Sequence, residues 1–248
     1  MFKLTINACS DKGCVRNNNE DMVLVSNVFV RSDSYRVETD VDDNGRYIVA
    51  VADGMGGHRS GDVASEETLK SLSTTFISIP NNLEIGAFNE SFYEWLDSIN
   101  KFIERLGLRN ERYRGMGTTL AAIVIYEDKI FWLNCGDSRI YRYRNGVLRQ
   151  ISHDHSLSNL TGNQDNPNVI VNCIGGGCKT SYIDLVEFTK DLMPNDMYLL
   201  CSDGLDKMLT DLEIERVLTG DGRAKELCAA AVAAGGFDNV SACTVLVE

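Results

Sequence analysis

Apolar runs rich in β-branched and aromatic residues recur along the chain, as is typical of buried strands. They predict strands at 3–10, 22–31, 46–53, 118–126, 129–136, 139–144, 182–189, 196–202 and 241–247. The Asn145-Gly146 dipeptide predicts a tight hairpin turn after one of them. Two polar segments interrupt the pattern. We expect a loop or loose hairpin at 32–45, while 152–177 is glycine-rich and shows little periodicity.

Other segments repeat their apolar residues at helical spacing, which predicts helices at 62–79, 83–106, 204–219 and 222–234. Strands come first and last, with one helix pair in the middle and another near the end. Strict alternation of strand and helix would have indicated a parallel sheet. This order instead predicts an α+β fold with mostly antiparallel sheets and helices packed outside them. Because no repeat, low-complexity tract or flexible linker interrupts the chain, we expect a single domain over residues 1–248.

Composition narrows the classes of function. The 248 residues include 36 acidic and 24 basic side chains, which give a net charge of −12. Such a surface disfavours nucleic acid and anionic membranes as partners. No stretch approaches the roughly 20 apolar residues of a membrane span, and the N-terminus lacks the apolar core of a secretory signal.

The eight cysteines are predicted to be reduced thiols. Cys135, Cys201 and Cys243 lie inside apolar runs, where cysteine behaves as a small hydrophobic residue. Cys173 and Cys178 stand close in sequence, but no neighbouring histidine or cysteine pair completes a zinc site. Reduced thiols indicate a cytoplasmic protein.

Three apolar runs stop at an aspartate, namely Asp53, Asp137 and Asp203, and two further acidic pairs, Glu20-Asp21 and Asp238-Asn239, stand directly before strands. A carboxylate at a buried strand end costs desolvation energy unless a cation meets it. If these strand ends converge, the carboxylates cannot all stay ionised without cations. Oxygen ligands in a chain with only three histidines favour hard divalent ions.

Two divalent ions about 3.5–4 Å apart would supply a metal-bound hydroxide and a clamp for a phosphoryl group. Arg16, four residues before Glu20, has the guanidinium geometry that grips phosphate oxygens in pairs. Since no Ser, Cys or His stands in a nucleophile motif, direct attack by metal-bound water is favoured over a covalent intermediate.

Simpler explanations stay open at single positions. Asp-Gly is a common turn dipeptide, so Asp53 and Asp203 can each be turn-forming residues. Asp137 can cap a turn and pair locally with Arg139, and Arg16 can be a surface partner of Glu20. His153 and His155 flank Asp154 and resemble a zinc or acid–base cluster, but residues 154–156 are instead predicted to anchor a flap by hydrogen bonds.

Six elements follow one another in a fixed order: Gly13-x-x-Arg16-x-x-Asn19-Glu20-Asp21, Val51-Ala52-Asp53-Gly54-Met55-Gly56-Gly57-His58, Gly117-Thr118-Thr119, Gly136-Asp137-Ser138-Arg139, Ser202-Asp203-Gly204 and Asp238-Asn239. This order resembles the metal-dependent serine/threonine protein phosphatases of the 2C type, especially the compact bacterial ones, over nearly the whole chain. The resemblance implies a four-layer α-β-β-α sandwich, with two central, mostly antiparallel sheets flanked by helix pairs.

The resemblance also implies the metal ligands, which would be Glu20, Asp53, the backbone carbonyl of Gly54, Asp137, Asp203 and Asp238. Asp53 would bridge two tightly bound Mn²⁺ or Mg²⁺ ions. Asp203 and Asp238 would hold the first ion, and Glu20 and Gly54 the second. Asp137, together with Asp203, would be positioned for a third, weaker ion.

The remaining implied roles concern substrate and support. Arg16 would bind the substrate phosphate, while Asp21 and Asn239 would support the site. The implied activity is hydrolysis of phosphoserine and phosphothreonine by direct attack of a water that bridges the two ions. The expected enzyme is a cytoplasmic monomer that acts on phosphorylated proteins and opposes a serine/threonine kinase.

The chain departs from the family pattern in two places. Met55 stands where some relatives carry a histidine, and the flap segment 157–168 is short. A non-catalytic module with the same fold and a two-metal phosphodiesterase are the alternative functions. The complete set of acidic residues disfavours the former, while the acidic surface and low histidine count disfavour the latter.

Overall fold

The structure, a computed structural model, describes residues 2–56, 60–162, 169–220 and 223–248. Its strands are β1 (Phe2–Asp11), β2 (Met22–Val25), β3 (Val28–Val30), β4 (Asp33–Val41), β5 (Arg46–Ala52), β6 (Gly54–Met55), β7 (Gly117–Thr118), β8 (Leu120–Tyr126), β9 (Lys129–Cys135), β10 (Arg139–Arg144), β11 (Val147–Gln150), β12 (Ile174–Gly175), β13 (Asp184–Glu187), β14 (Asp196–Cys201) and β15 (Val240–Val247). Its α-helices are α1 (Gly61–Ser78), α2 (Ile85–Arg109), α3 (Leu157–Thr161), α4 (Asp203–Asp206), α5 (Asp211–Thr219) and α6 (Ala224–Ala233).

The strands form two six-stranded sheets and one small sheet. The first sheet has the order β11-β10-β14-β15-β1-β4, and the second has the order β13-β9-β8-β5-β2-β3. The small sheet, β12-β7-β6, has three strands. All the strand pairs in the three sheets are antiparallel, as the sequence predicts.

Three apolar cores separate four layers. One core lies between α1 and α2 and the second sheet, and includes Leu72 and Phe92. The middle core lies between the two large sheets, and includes Ile6 and Leu200. The third core, around Leu227, lies between the first sheet and α5 and α6. The predicted α-β-β-α sandwich is therefore confirmed, and each fully buried aliphatic or aromatic side chain contributes about 1.5–3 kcal/mol to it.

The prediction of a loop or loose hairpin at 32–45 is wrong for most of the segment. Residues 33–41 form β4, an edge strand that pairs with β1 from Phe2↔Val41 to Ser10↔Asp33. Val37 and Val41 pack on the middle core, whereas Glu38 and Asp40 alternate with these positions and are exposed. Because β4 has few apolar residues, all on one face, its sequence lacks the continuous apolar run by which the central strands were predicted.

Two predicted elements are split in the structure. The strand expected at 22–31 turns at Ser26, whose φ is 55°, and becomes the hairpin of β2 and β3. The helix expected at 204–219 is two helices, because Thr210 starts a new one. Its side chain and that of Glu213 form a reciprocal capping box.

None of the helices in the described part of the chain combines the length and apolar composition needed to cross a bilayer.

Candidate metal centre

Strand register brings the predicted acidic residues to one end of the two large sheets. In the first sheet Cys201, the last residue of β14, pairs with Ala242 near the start of β15. Asp203 follows β14 and Asp238 precedes β15, so both lie at the same edge. In the second sheet Met22 pairs with Ala52, which does the same for Glu20 and Asp53. Cys135 pairs with Leu120, and this places Asp137 at the edge as well.

The charges of the other acidic residues act on Asp53. The pKa of the Asp53 carboxyl is raised well above its usual range, first by burial and then by the negative charges of Asp21, Asp203, Asp137 and Asp238. Carboxylates of both sheets therefore share one poorly solvated region, which the sequence predicted from strand ends alone.

The backbone of Asp53 is held on both sides by threonines. Its N–H donates to Thr119 Oγ1 at 3.0 Å, and its carbonyl accepts from Thr118 Oγ1 at 2.8 Å and from the Thr119 N–H at 2.9 Å. The next residue, Gly54, is wedged in the fold, since a Cβ there would lie 2.1 Å from Gly61 O and 2.5 Å from Glu20 O. Only glycine permits this close approach between the loop and the start of α1.

Asn239 ties the loop before Glu20 to the last strand. Its side-chain oxygen accepts from the Glu20 N–H at 2.8 Å, and its side-chain amide donates to the carbonyls of Lys12 and Asn18, each at 2.8 Å. The Glu20 carboxylate accepts from the Gly61 N–H at 3.3 Å. Asn239 thus clamps the chain through three hydrogen bonds, to Lys12, Asn18 and Glu20, and its supporting role in the site stays a prediction.

Arg16 pairs with Asp238 rather than with Glu20, the partner that the simpler explanation would have required. Its Nη2 lies 2.7 Å from Asp238 Oδ2. This hydrogen bond raises the pKa of Arg16, with smaller contributions from the charges of Glu20 and Asp53. With a side chain 52% exposed, the guanidinium faces solvent at the rim of the acidic region.

Lys207 forms an ion pair with Asp203 that we did not anticipate. Burial lowers the pKa of the Lys207 ammonium, but the charges of Asp203, Asp137 and Asp206 outweigh burial and raise it. The signal in the sequence was the i, i+4 spacing of an acid and a base across α4. A second positive charge therefore stands inside the acidic region.

Asp137 and Asp21 are nearly inaccessible, at 8% and 1% exposure. Burial, followed by the charge of Asp203, raises the pKa of Asp137 to about 6, and its Oδ1 is buried with no hydrogen-bond partner. Burial likewise raises the pKa of Asp21 to about 7, although Ser202 Oγ donates to Asp21 Oδ2 at 2.6 Å.

The simpler explanation for Asp137, local pairing with Arg139, does not match the ion pairs that Arg139 forms. Arg139 binds Asp154 at 2.7 Å and Asp206 at 2.8 Å. His155 accepts from the Gly136 N–H through Nδ1 at 3.1 Å, and its Nε2 lies 3.1 Å from Asp184. Asp154 and His155 thus form structural hydrogen bonds, and the anchoring of the flap by residues 154–156 stays a prediction. His58 and residues 163–168 of the flap lie outside the described residues.

The donor set fits hard divalent cations, since it consists of carboxylate and carbonyl oxygens around an orphaned buried oxygen of Asp137. Within residues 2–56, 60–162, 169–220 and 223–248, no three His, Cys, Asp or Glu side chains already converge on one metal position. Asp238 and Asp203 are instead turned to Arg16 and Lys207.

Known proteins resemble this chain along its whole length. It is 33% identical to the serine/threonine phosphatase stp of Listeria monocytogenes, over 96% of this chain and 93% of that protein. It is also 33% identical to the protein phosphatase PhpP of Streptococcus pneumoniae, over 98% of this chain and 97% of that one.

Two solved structures have the same fold. The serine/threonine phosphatase of S. agalactiae superposes with a TM-score of 0.82 at 29% identity, covering 99% of this chain and all of that one. The catalytic domain of the phosphatase PstP, in complex with two manganese ions, superposes with a TM-score of 0.77 at 29% identity, covering 100% and 99% of the two chains. The protein phosphatase 2C family profile matches residues 26–230. The chain therefore belongs to the protein phosphatase 2C family.

Proposed function

We propose that this protein is a metal-dependent phosphatase that removes phosphate from phosphoserine and phosphothreonine in proteins. The observation that carries the proposal is the strand register that brings Asp53, Asp203 and Asp238 to one end of the two sheets. There the charges of Asp203 and Asp238 act on the Asp53 carboxyl. Relatives named as serine/threonine phosphatases, and a similar structure in complex with two manganese ions, support the same assignment.

The proposed metal ligands are Glu20, Asp53, the carbonyl of Gly54, Asp137, Asp203 and Asp238. Asp53 would serve both tightly bound ions, because the other carboxylates act on it from both sheets. Asp137 would serve a third, weaker ion with Asp203. Before metal binds, Asp238 and Asp203 must release Arg16 and Lys207.

Bound Mn²⁺ or Mg²⁺ would neutralise the carboxylates and the phosphoryl oxygens and make water a nucleophile at neutral pH. Arg16, freed from Asp238, would orient the substrate phosphate by paired hydrogen bonds. The threonine bonds to the Asp53 backbone would keep its carboxylate in place. We propose direct attack of water on phosphorus without a phosphoenzyme.

The wider assignments are also proposals. We propose one phosphatase domain over 1–248 and a monomer in the cytoplasm that opposes a serine/threonine kinase. All eight cysteines lie in the described part of the chain and none is in a disulfide, which fits a reducing compartment. The net charge of −12 favours a monomer over self-association.

Hydrolysis of a phosphothreonine peptide tests the proposal. With Mn²⁺ we expect turnover that EDTA abolishes and fresh Mn²⁺ restores. Asp53→Asn removes the shared charge and is expected to lower kcat by a factor of about 10³ or more. Asp97→Asn, on the exposed face of α2, is the matched control and should keep the wild-type rate.

Several outcomes would contradict the proposal. They are full activity in EDTA, no activity with either metal, and a near-normal rate for Asp53→Asn. Preference for bis-p-nitrophenyl phosphate over the phosphopeptide would favour a phosphodiesterase instead.

A further inference from the structure

Cys173 and Cys178 face each other across a glycine turn. Their Sγ atoms lie 3.3 Å apart, and the Cys178 N–H donates to Gly175 O at 2.9 Å, closing the turn. Gly175, Gly176 and Gly177 have φ values of 74°, 61° and 84°. This left-handed backbone, which glycine tolerates better than other residues, reverses the chain direction between the two cysteines. A disulfide has sulfur atoms about 2.05 Å apart, so a shift of about 1.3 Å would join them.

The fold holds both ends of this turn in place. Asn100 of α2 accepts from the Gly175 N–H at 2.6 Å and donates to Cys178 O at 3.1 Å. Ser181 Oγ donates to Cys173 O at 2.5 Å. Because these bonds fix the backbone on each side, the two thiols remain neighbours, which gives their reaction a high effective concentration.

The two thiols differ in accessibility. Cys173 is 4% exposed, and burial, together with its hydrogen bond to Cys178, raises the pKa of its thiol. Cys178 is partly exposed. An accessible cysteine next to a buried one is the arrangement in which the first is oxidised and the second resolves the product.

We propose that Cys173 and Cys178 are a redox modification site that closes to a reversible disulfide under peroxide. The Cys178 sulfur attacks hydrogen peroxide, the O–O bond breaks, and a sulfenic acid and water form. The Cys173 sulfur then attacks the sulfenic sulfur and expels the second water. Two thiols thus lose two electrons and two protons, and peroxide is reduced to two waters. A small dithiol reduces the disulfide back to two thiols by exchange and is itself oxidised to a cyclic disulfide.

The site belongs to the small sheet. Its strand β12 pairs with β7, and β7 pairs with β6, which contains Gly54. The modification therefore occurs two strands away from the proposed metal ligands. It does not depend on phosphatase chemistry, so its test needs no activity measurement.

The test is peptide mapping of the full chain after brief treatment with hydrogen peroxide and blocking of free thiols with iodoacetamide. No Lys or Arg lies between Gln150 and Lys179, so trypsin leaves both cysteines in one peptide. We expect this peptide to lose two hydrogen atoms and both alkylation sites. Dithiothreitol before blocking should restore both.

Three variants serve as controls. Cys178→Ser and Cys173→Ser should each abolish the mass loss. Cys14→Ser removes an exposed thiol elsewhere and should leave it unchanged. The proposal is overturned if Cys178 of the wild type stays alkylated, if it proceeds to sulfonic acid while Cys173 remains free, or if the cross-link joins the buried Cys135. Because mapping of the wild type alone decides between these outcomes, a misfolded variant does not obscure the result.

Discussion

Arg16 and Lys207 set the electrostatics of the site at the residue scale. Each is paired with a carboxylate that we propose as a metal ligand, Asp238 and Asp203 respectively. The negative charge of Asp203 also acts on its neighbour Asp137, since burial, followed by this charge, raises the pKa of Asp137 to about 6. The basic side chains therefore stabilise the metal-free fold and compete with metal ions.

Replacing Lys207 should expose this competition. Lys207→Met keeps much of the aliphatic stem but removes the ammonium that a metal ion must displace from Asp203. We expect the Kd for Mn²⁺ to fall by about three- to tenfold, a charge effect of about 1 kcal/mol at a half-buried position. Isothermal titration calorimetry measures the change.

Lys101→Met is the matched control, because Lys101 forms the same i, i+4 pair with Asp97 on the exposed face of α2. It should leave the Kd for Mn²⁺ unchanged. Equal or weaker binding by Lys207→Met would mean that the ammonium does not compete with the metal.

At the element scale, close backbone contacts fix how the loops carry their carboxylates. Gly13 has a φ of 75°, and a Cβ there would lie 2.2 Å from the carbonyl oxygen of Asp238. Gly115 has nearly the same φ, 73°, but a Cβ there would meet nothing within 4 Å. Comparing the two positions therefore distinguishes the cost of a left-handed backbone, which both share, from the cost of a steric clash, which only Gly13 has.

Gly13→Ala should therefore cost more than Gly115→Ala. For Gly115→Ala we expect a loss of about 1 kcal/mol in the free energy of unfolding from the left-handed backbone alone. For Gly13→Ala the clash adds to this, giving about 2–4 kcal/mol, together with weaker Mn²⁺ binding as Asp238 moves. Urea unfolding and calorimetry measure both. Equal losses for the two variants would rule out a steric role for Gly13.

A buried ion pair links β10 to β14 away from the site. Arg144 Nη2 lies 2.5 Å from Asp196 Oδ2, and the Asp196 side chain is 0% exposed. Burial alone would raise the pKa of Asp196, but the hydrogen bonds from Arg144 and Met193 outweigh it and lower the pKa. A carboxylate with a lowered pKa stabilises the fold above its unfolded pKa, and loses this effect as the pH falls through the folded value.

Asp196→Asn should accordingly lower the free energy of unfolding by about 1.5–3 kcal/mol at neutral pH, since it removes the charged acceptor and leaves Arg144 only the Asp191 carbonyl. The difference from wild type should shrink below a pH of about 4, where the unfolded chain's aspartates are protonated. Urea unfolding across this range measures it. A difference that is constant with pH would contradict the ionised pair, and Asp97→Asn provides a surface control.

The sequence predicted the central elements better than the edges. Strands such as β8 are buried at every position, so their composition alone identified them. The strand β4 was not predicted, because its exposed positions are polar and its pairing with β1 is a long-range contact. In the site, strand ends indicated the acidic residues, but the pairing of Arg16 with Asp238 spans 222 residues and follows only from the assembled sheets.

At the scale of the whole molecule, metal binding and folding are thermodynamically linked. The carboxylates come from both sheets, and their crowding opposes folding until a cation is present. A ligand that binds only the folded chain stabilises it through mass action.

Mn²⁺ at a hundred times its Kd should stabilise the wild type by about 2.7 kcal/mol, which raises Tm by about 5–10 °C for a chain of this size. Scanning calorimetry with and without EDTA measures the shift. Asp53→Asn should abolish most of this rise in Tm, while Asp97→Asn should leave the rise unchanged. An unchanged Tm of the wild type at saturating Mn²⁺ would contradict the linkage.

The clamp made by Asn239 has a consequence for biosynthesis. It joins backbone on either side of Arg16 to the beginning of β15, a strand that lies between β1 and β14 in its sheet. A chain still emerging from the ribosome without β15 has an open gap in that sheet and lacks Asp238. We therefore expect no activity from a nascent chain before β15 is synthesised, because β1 and β15 must pair before the proposed acidic ligands can share an ion.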